Sequence, residues 1–221
     1  MPAAALKTQF ESLLGGHLDW QSRPAPECVP TGVPDLDAAT GGLPRGCLTE
    51  IFGPASSGRT SLLLSILAQA THREEVCALV DAEDAFDPAS AGAAGVHLDR
   101  LLWVRSANNA EHALKAADLL VQAGGFGIVA IDLAGIPARD ARRISLASWF
   151  RLRNAVEKTP AALVVLGEEL NAHSCSTLQV QTRSAGYRMQ GNLLRNLSVE
   201  AALGPRTRAK SAFTLRPFHQ E

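Results

Sequence analysis

Leu48-Thr49-Glu50-Ile51-Phe52 runs directly into Gly53-Pro54-Ala55-Ser56-Ser57-Gly58-Arg59-Thr60. An apolar stretch of strand character ends in a loop with glycine at its first and sixth positions, and a Leu-rich helix is expected from Thr60 or Ser61. That is the layout of a phosphate-binding loop. Backbone amides wrap an oligophosphate only where no side chain intervenes, and the helix adds its free N–H groups and its dipole. The usual pattern closes in Gly-Lys-Ser/Thr, and here Arg59 stands at the lysine position. A guanidinium is planar and bulkier than an ammonium and prefers to fork across two oxygens, so charge is kept while its position changes. Gly53, Ser56, Ser57, Gly58, Arg59, Thr60 and Ser61 form the candidate cradle, with the Thr60 hydroxyl a candidate Mg²⁺ ligand. The competing reading is a glycine-rich turn that holds no ligand.

Working outward from the loop, Leu62, Leu63, Leu64, Ile66 and Leu67 make a helix apolar on all sides, which belongs behind a sheet. Val76–Val80 reads as a strand ending in Asp81-Ala82-Glu83, Leu101–Val104 as another, and Asn109–Gln122 as an amphipathic helix. Phe126–Ile131 is an apolar strand closed by Asp132, the pattern in which an aspartate holds the magnesium shell of a nucleotide. One or two helices are expected over Arg139–Lys158, then a strand at Ala162–Leu166. β stretches near Leu178–Arg183, Leu197–Leu203 and Ala212–Leu215 suggest antiparallel strands finishing the sheet. Strands and helices in alternation argue an α/β fold with a mainly parallel twisted sheet and helices on both faces.

Before the loop, Leu6, Phe10, Leu13 and Leu14 fall at helical spacing, and Gln21–Pro34 carries four prolines. The organisation expected is an N-terminal helix with a Pro-rich linker over 1–34 and a core domain over 35–221. A helix so short must pack on something, either its own domain or a neighbouring protomer or partner. Hydrophobic residues make up 46% of the chain and charged residues 19%, too apolar for a disordered protein. There is no run of membrane-spanning length and no signal-peptide pattern near Met1, so a cytoplasmic protein without a membrane partner is expected. Four scattered cysteines without a CxxC make a zinc site improbable, and Cys47 and Cys77 read as small core residues.

From Ala172 onward there are seven basic residues against two acidic ones. Such a bias marks either an anionic partner or plain solvated surface. Arg139, Arg142 and Arg143, at i, i+3 and i+4, would share one helix face near Trp149 and Phe150, a candidate single-stranded DNA contact. The alternative places Trp149 in the core and the arginines in solvent.

These residues resemble the core of the RecA recombinase family. The resemblance is carried by Leu43-Pro44-Arg45-Gly46, the loop itself, Asp81-Ala82-Glu83-Asp84-Ala85-Phe86-Asp87-Pro88 and Gly95–Leu102, and covers roughly Gly32–Asp132. It implies ATP or ADP with Mg as cofactor, Ser56–Thr60 as the phosphate cradle, Glu83 as the base activating the attacking water, Asp87 near the adenine, and Asp132 in the magnesium shell. Three departures stand out: Arg59 for lysine, Ser90 where bacterial recombinases stack a tyrosine on the adenine, and Gly167-Glu168 in place of an Asn-Gln pair that senses the γ-phosphate. The segments corresponding to the two DNA loops are short. In size and losses the chain is similar to the shortened RecA-like accessory proteins of bacterial mutagenesis cassettes, the ImuA group. That likeness implies a role in DNA repair and damage-induced translesion synthesis, with RecA and a Y-family-like polymerase factor as partners and weak or no ATP hydrolysis. The alternatives are a DNA-stimulated ATPase that forms filaments, and an interaction protein without nucleotide, comparable to RecA-derived cell-division inhibitors.

Overall fold

A computed structural model describes residues 26–191, 193–204 and 210–215. The amphipathic helix expected over Leu6–Leu14 lies outside the described residues. So does the first part of the expected linker. Its remainder up to Val33 is non-helical and packed on the domain, and Pro34 opens the first helix. β1 (Cys28–Val29) pairs antiparallel with β2 (Leu43–Pro44), and Val29, Thr31 and Val33 are buried. Between them α1 (Pro34–Thr40) starts on a proline and ends on Gly41 at φ 78°, a left-handed position that suits glycine.

The main sheet has eight strands in the order β10-β9-β8-β3-β7-β6-β4-β5. These are β3 (Leu48–Phe52), β4 (Cys77–Asp81), β5 (Leu101–Arg105), β6 (Ile128–Asp132), β7 (Ala162–Gly167), β8 (Leu178–Gln190), β9 (Leu193–Gly204) and β10 (Lys210–Leu215). β8 to β5 run parallel, while β9 and β10 are antiparallel, as the sequence suggests. The pleat sends alternate side chains to opposite faces. Ile128 and Ala130 of β6 therefore join one core with Leu62, Ile66 and Leu67 of α2 (Arg59–His72). Val129 and Ile131 join the other. That second core is closed by α4 (Ala110–Ala123) and α6 (Leu146–Val156), which supplies the buried Trp149. A short α3 (Pro88–Ala93) follows the acidic turn after β4.

The one or two helices expected over Arg139–Lys158 are two. α5 (Ala138–Ala141) ends after one turn, Arg142 caps it, and Arg143 lies in the following turn. The three arginines do not share one regular helix face, because α5 ends at Ala141, before two of them; Ser145 then starts α6 by accepting the amide of Ser148. Arg139 and Arg143 face Asp140, and Arg142 pairs with Glu169. Trp149 is core, Phe150 is exposed, and Arg151 pairs with Asp118. Cys77 is fully buried, which pushes its thiol up to about 12, whereas Cys47 is only partly buried. Among the described residues no helix is long and apolar enough to cross a membrane.

Candidate functional site

β3 lies between β7 and β8, and its C-terminal end delivers the glycine-rich loop to the edge where β4, β6 and β7 also end. Carboxylates that would be unfavourable inside those strands sit at their tips, around a cavity of about 410 Å³. Arg59, Thr60, Glu83, Asp87, Ser90, Asp132 and Glu168 line it. The sequence-predicted cation, magnesium ligands, base and adenine-side aspartate therefore converge on one cleft.

The loop is held by its surroundings at two points. Gly53 lies against β8, where a Cβ would fall 2.2 Å from the Thr182 carbonyl oxygen. The Ser57 hydroxyl is 2.9 Å from the Thr182 hydroxyl in a buried pair. Thr182→Val leaves Ser57 without that partner. Urea titration should show a loss of about 1 kcal/mol, the net value of one buried hydrogen bond. Ser56 takes φ 59° and Gly58 φ 90°, left-handed positions that bend the chain into α2. Gly58 is the N-cap and offers no side-chain cap, so the first-turn amides of α2 remain available to an anion. Thr60 is exposed at the mouth and Ser61 is partly buried.

Arg59 does not point out of the loop. It is 8% exposed. Its Nη1 donates to the carbonyl oxygens of Gly53 and, at 3.0 Å, Gly167, and its Nη2 is 3.8 Å from Glu168. One arm of the guanidinium is thus engaged by two backbone carbonyls at the base of the cleft while the other faces Glu168.

Opposite the loop, Asp132 ends β6 and accepts the amide of Ala134. Burial raises its carboxyl above the ordinary aspartate range, and the nearby Asp81 and Glu83 push the same way against Arg59. A divalent cation beside Asp132 and Thr60 would relieve that repulsion, so the donor set fits Mg²⁺. Glu83 is exposed, and its carboxylate lies over Gly135, where a Cβ would stand 1.3 Å from Oε2. Asp87 caps α3, accepting the amides of Ala89 and Ser90 and the Ser90 hydroxyl. Those bonds hold its carboxyl below the usual range.

The sequence marked Asp81 as a strand end without its role, and it missed Thr182 and Glu50 as supports. Asp81 accepts the amides of Ala85 and Phe86 and the Trp103 indole, and so shapes the turn that presents Glu83. Thr182 locks the loop as described. Glu50, fully buried in β3, accepts the amides of Asn171 and Ala172 through Oε1 and fixes the loop that carries Glu168. Its signal was visible: a lone carboxylate in the middle of an apolar strand needs a partner.

Sheet, loop and cleft together define a phosphate-loop α/β protein. Comparison with known proteins gives the family: the RecA N-terminal domain matches residues 14–141, more than half of the chain, and the chain belongs to that family. It is 50% identical to Protein RecA of Methylococcus capsulatus over 108 residues, 48% of this chain and 31% of that protein. With Protein RecA of Deinococcus radiodurans it shares 47% over 108 residues, 48% of this chain and 30% of the relative. With that of Pseudomonas fluorescens it shares 45% over 121 residues, 54% of this chain and 33% of the relative. The chain thus spans about a third of the length of these relatives.

Proposed function

We propose that this chain is a RecA-type accessory protein that binds nucleotide with Mg²⁺ at the cleft and hydrolyses it weakly or not at all. In this reading it serves damage-induced translesion synthesis, like the ImuA group, through contacts with RecA and a Y-family-like polymerase factor. Self-association through the N-terminal helix and contact with single-stranded DNA belong to the same proposal. The observation that carries it is the position of Arg59. Phosphoryl transfer depends on cationic charge placed where negative charge develops. Here the loop cation is held by the carbonyls of Gly53 and Gly167 and paired with Glu168.

Bound Mg²⁺ would offset phosphate charge. The chain's own residues divide the remaining work. The α2 amides would hold the phosphates, Thr60 and Asp132 would hold the metal, and Asp87 would lie near the base. The second reading, a DNA-stimulated ATPase, is favoured by Glu83, Thr60 and Asp132 lining the same cleft.

Single-turnover hydrolysis, with protein in excess over ATP and with or without single-stranded DNA, separates the two. The parent is expected to show no DNA-stimulated cleavage. Arg59→Lys is expected to raise ATP affinity or cleavage severalfold, because an ammonium cannot span both carbonyls and Glu168 as the guanidinium does. Rapid DNA-dependent cleavage by the parent would refute the accessory reading and favour the ATPase.

A further inference from the structure

The cleft is electrically lopsided. On the loop side are the first-turn amides of α2 and the Thr60 hydroxyl, all donors suited to a phosphate. The same cavity is lined by five carboxylates, Asp81, Glu83, Asp87, Asp132 and Glu168. Among the described residues the one cation lining the same cavity is Arg59, whose Nη1 serves two carbonyls and whose Nη2 faces Glu168 at 3.8 Å.

In a phosphate loop the first two phosphates rest on the backbone nest, and the third lies beyond the loop cation, toward the base and the magnesium-shell carboxylate. In this chain that outer position borders Glu168 as well. Glu168 follows Gly167 at the end of β7 and has a side chain 54% exposed, so it is free to face an incoming ligand. A third phosphate adds negative charge beside these carboxylates, where the described residues lining the cavity offer no further cation. The β-phosphate does not meet this difficulty, because the nest that holds it is intact.

Resting on the nucleotide site proposed above, we infer that this cleft takes a nucleoside diphosphate in preference to a triphosphate, and that Glu168 sets the preference. Two features reinforce it. The Glu50 carboxylate pins the backbone at Asn171 and Ala172, and the Asn171 side chain donates to the Glu169 carbonyl, so the Glu168 loop is braced rather than free to swing away. Arg59 is turned toward Glu168, where it neutralises the carboxylate only while no phosphate draws it off.

The test is calorimetric titration of the full chain with Mg-ADP and with the Mg complex of β,γ-imido ATP, which resists turnover to the diphosphate. The parent should bind ADP at least tenfold more tightly. In Glu168→Gln that ratio should fall to threefold or less, through a gain in affinity for the triphosphate analogue. Equal or tighter binding of the analogue by the parent overturns the preference and leaves the nucleotide site standing. An unchanged ratio in a folded Glu168→Gln protein overturns the role of Glu168. Binding of neither ligand at millimolar concentration removes the nucleotide site and this inference with it.

Discussion

Glu50→Ala should be among the most damaging substitutions in the chain, and Glu50→Gln among the mildest. The alanine leaves the amides of Asn171 and Ala172 without their acceptor in a fully buried place. Each orphaned donor costs about 1–3 kcal/mol, so a combined loss of about 2–6 kcal/mol is expected in urea unfolding. Glutamine keeps an oxygen for both amides and removes the charge. The two variants also separate in their response to pH. Burial raises the Glu50 carboxyl above its ordinary value, opposed by the two amides and by His173, and its Oε2 has no hydrogen-bond partner. A raised folded-state value means that the native state holds the proton more tightly than the unfolded chain. Stability then rises as pH falls through that raised value, and the gain is complete below the ordinary glutamate value near ~4.3. Asp132, also raised, contributes in the same direction. Melting curves between neutral and mildly acidic pH should therefore be flatter for Glu50→Gln than for the parent. A parent whose slope across that window matches the glutamine variant's would show that Glu50 does not titrate there.

Gly53→Ala is the second large effect. The added methyl meets the Thr182 carbonyl oxygen at 2.2 Å, the Thr182 hydroxyl at 2.8 Å and the Ser57 hydroxyl at 2.9 Å. The first of these is backbone in a paired strand and cannot swing aside. Relief requires β3 and β8 to part, or the loop to lift. Overpacking of this kind typically costs about 1–3 kcal/mol, and the upper end is expected here. Because the strain falls on the loop itself, any rise in melting temperature that the proposed binding of Mg-ADP gives the parent should be mostly lost. An alanine protein that melts like the parent would mean that the β3–β8 junction yields easily.

The sequence made parts of this arrangement legible and left others hidden, for identifiable reasons. β4, β6 and β7 are continuous apolar runs, which is how strands buried on both faces read. Asp132 at the end of β6 and Gly53–Thr60 at the end of β3 located the cleft. The β1–β2 ribbon was not visible, because two residues per strand are too few to show a period. Prolines that signalled extended chain could not say that Val29 and Val33 would be buried. Helical spacing of Arg139, Arg142 and Arg143 suggested one face, but the first helix stops at Ala141 and Ser145 caps a new one beyond them. The direction of Arg59 was hidden most completely. It depends on the carbonyl of Gly167 and the carboxylate of Glu168, more than a hundred residues away, and no local pattern encodes that meeting.

The placement of β3 between β7 and β8 also bears on the order in which the molecule can assemble during synthesis. Its partners are Leu163–Gly167 on one side and Leu178–Gln181 on the other, so the strand that carries the glycine-rich loop has no neighbour in place until most of the chain has left the ribosome. Contacts so distant in sequence form slowly, since long loops must close before they are rewarded. A nascent chain halted before residue 162 contains every residue of the cradle and neither strand that shapes it. Such a chain exposes Leu48 and Ile51, both fully buried in the finished fold, and is the stage most in need of a chaperone.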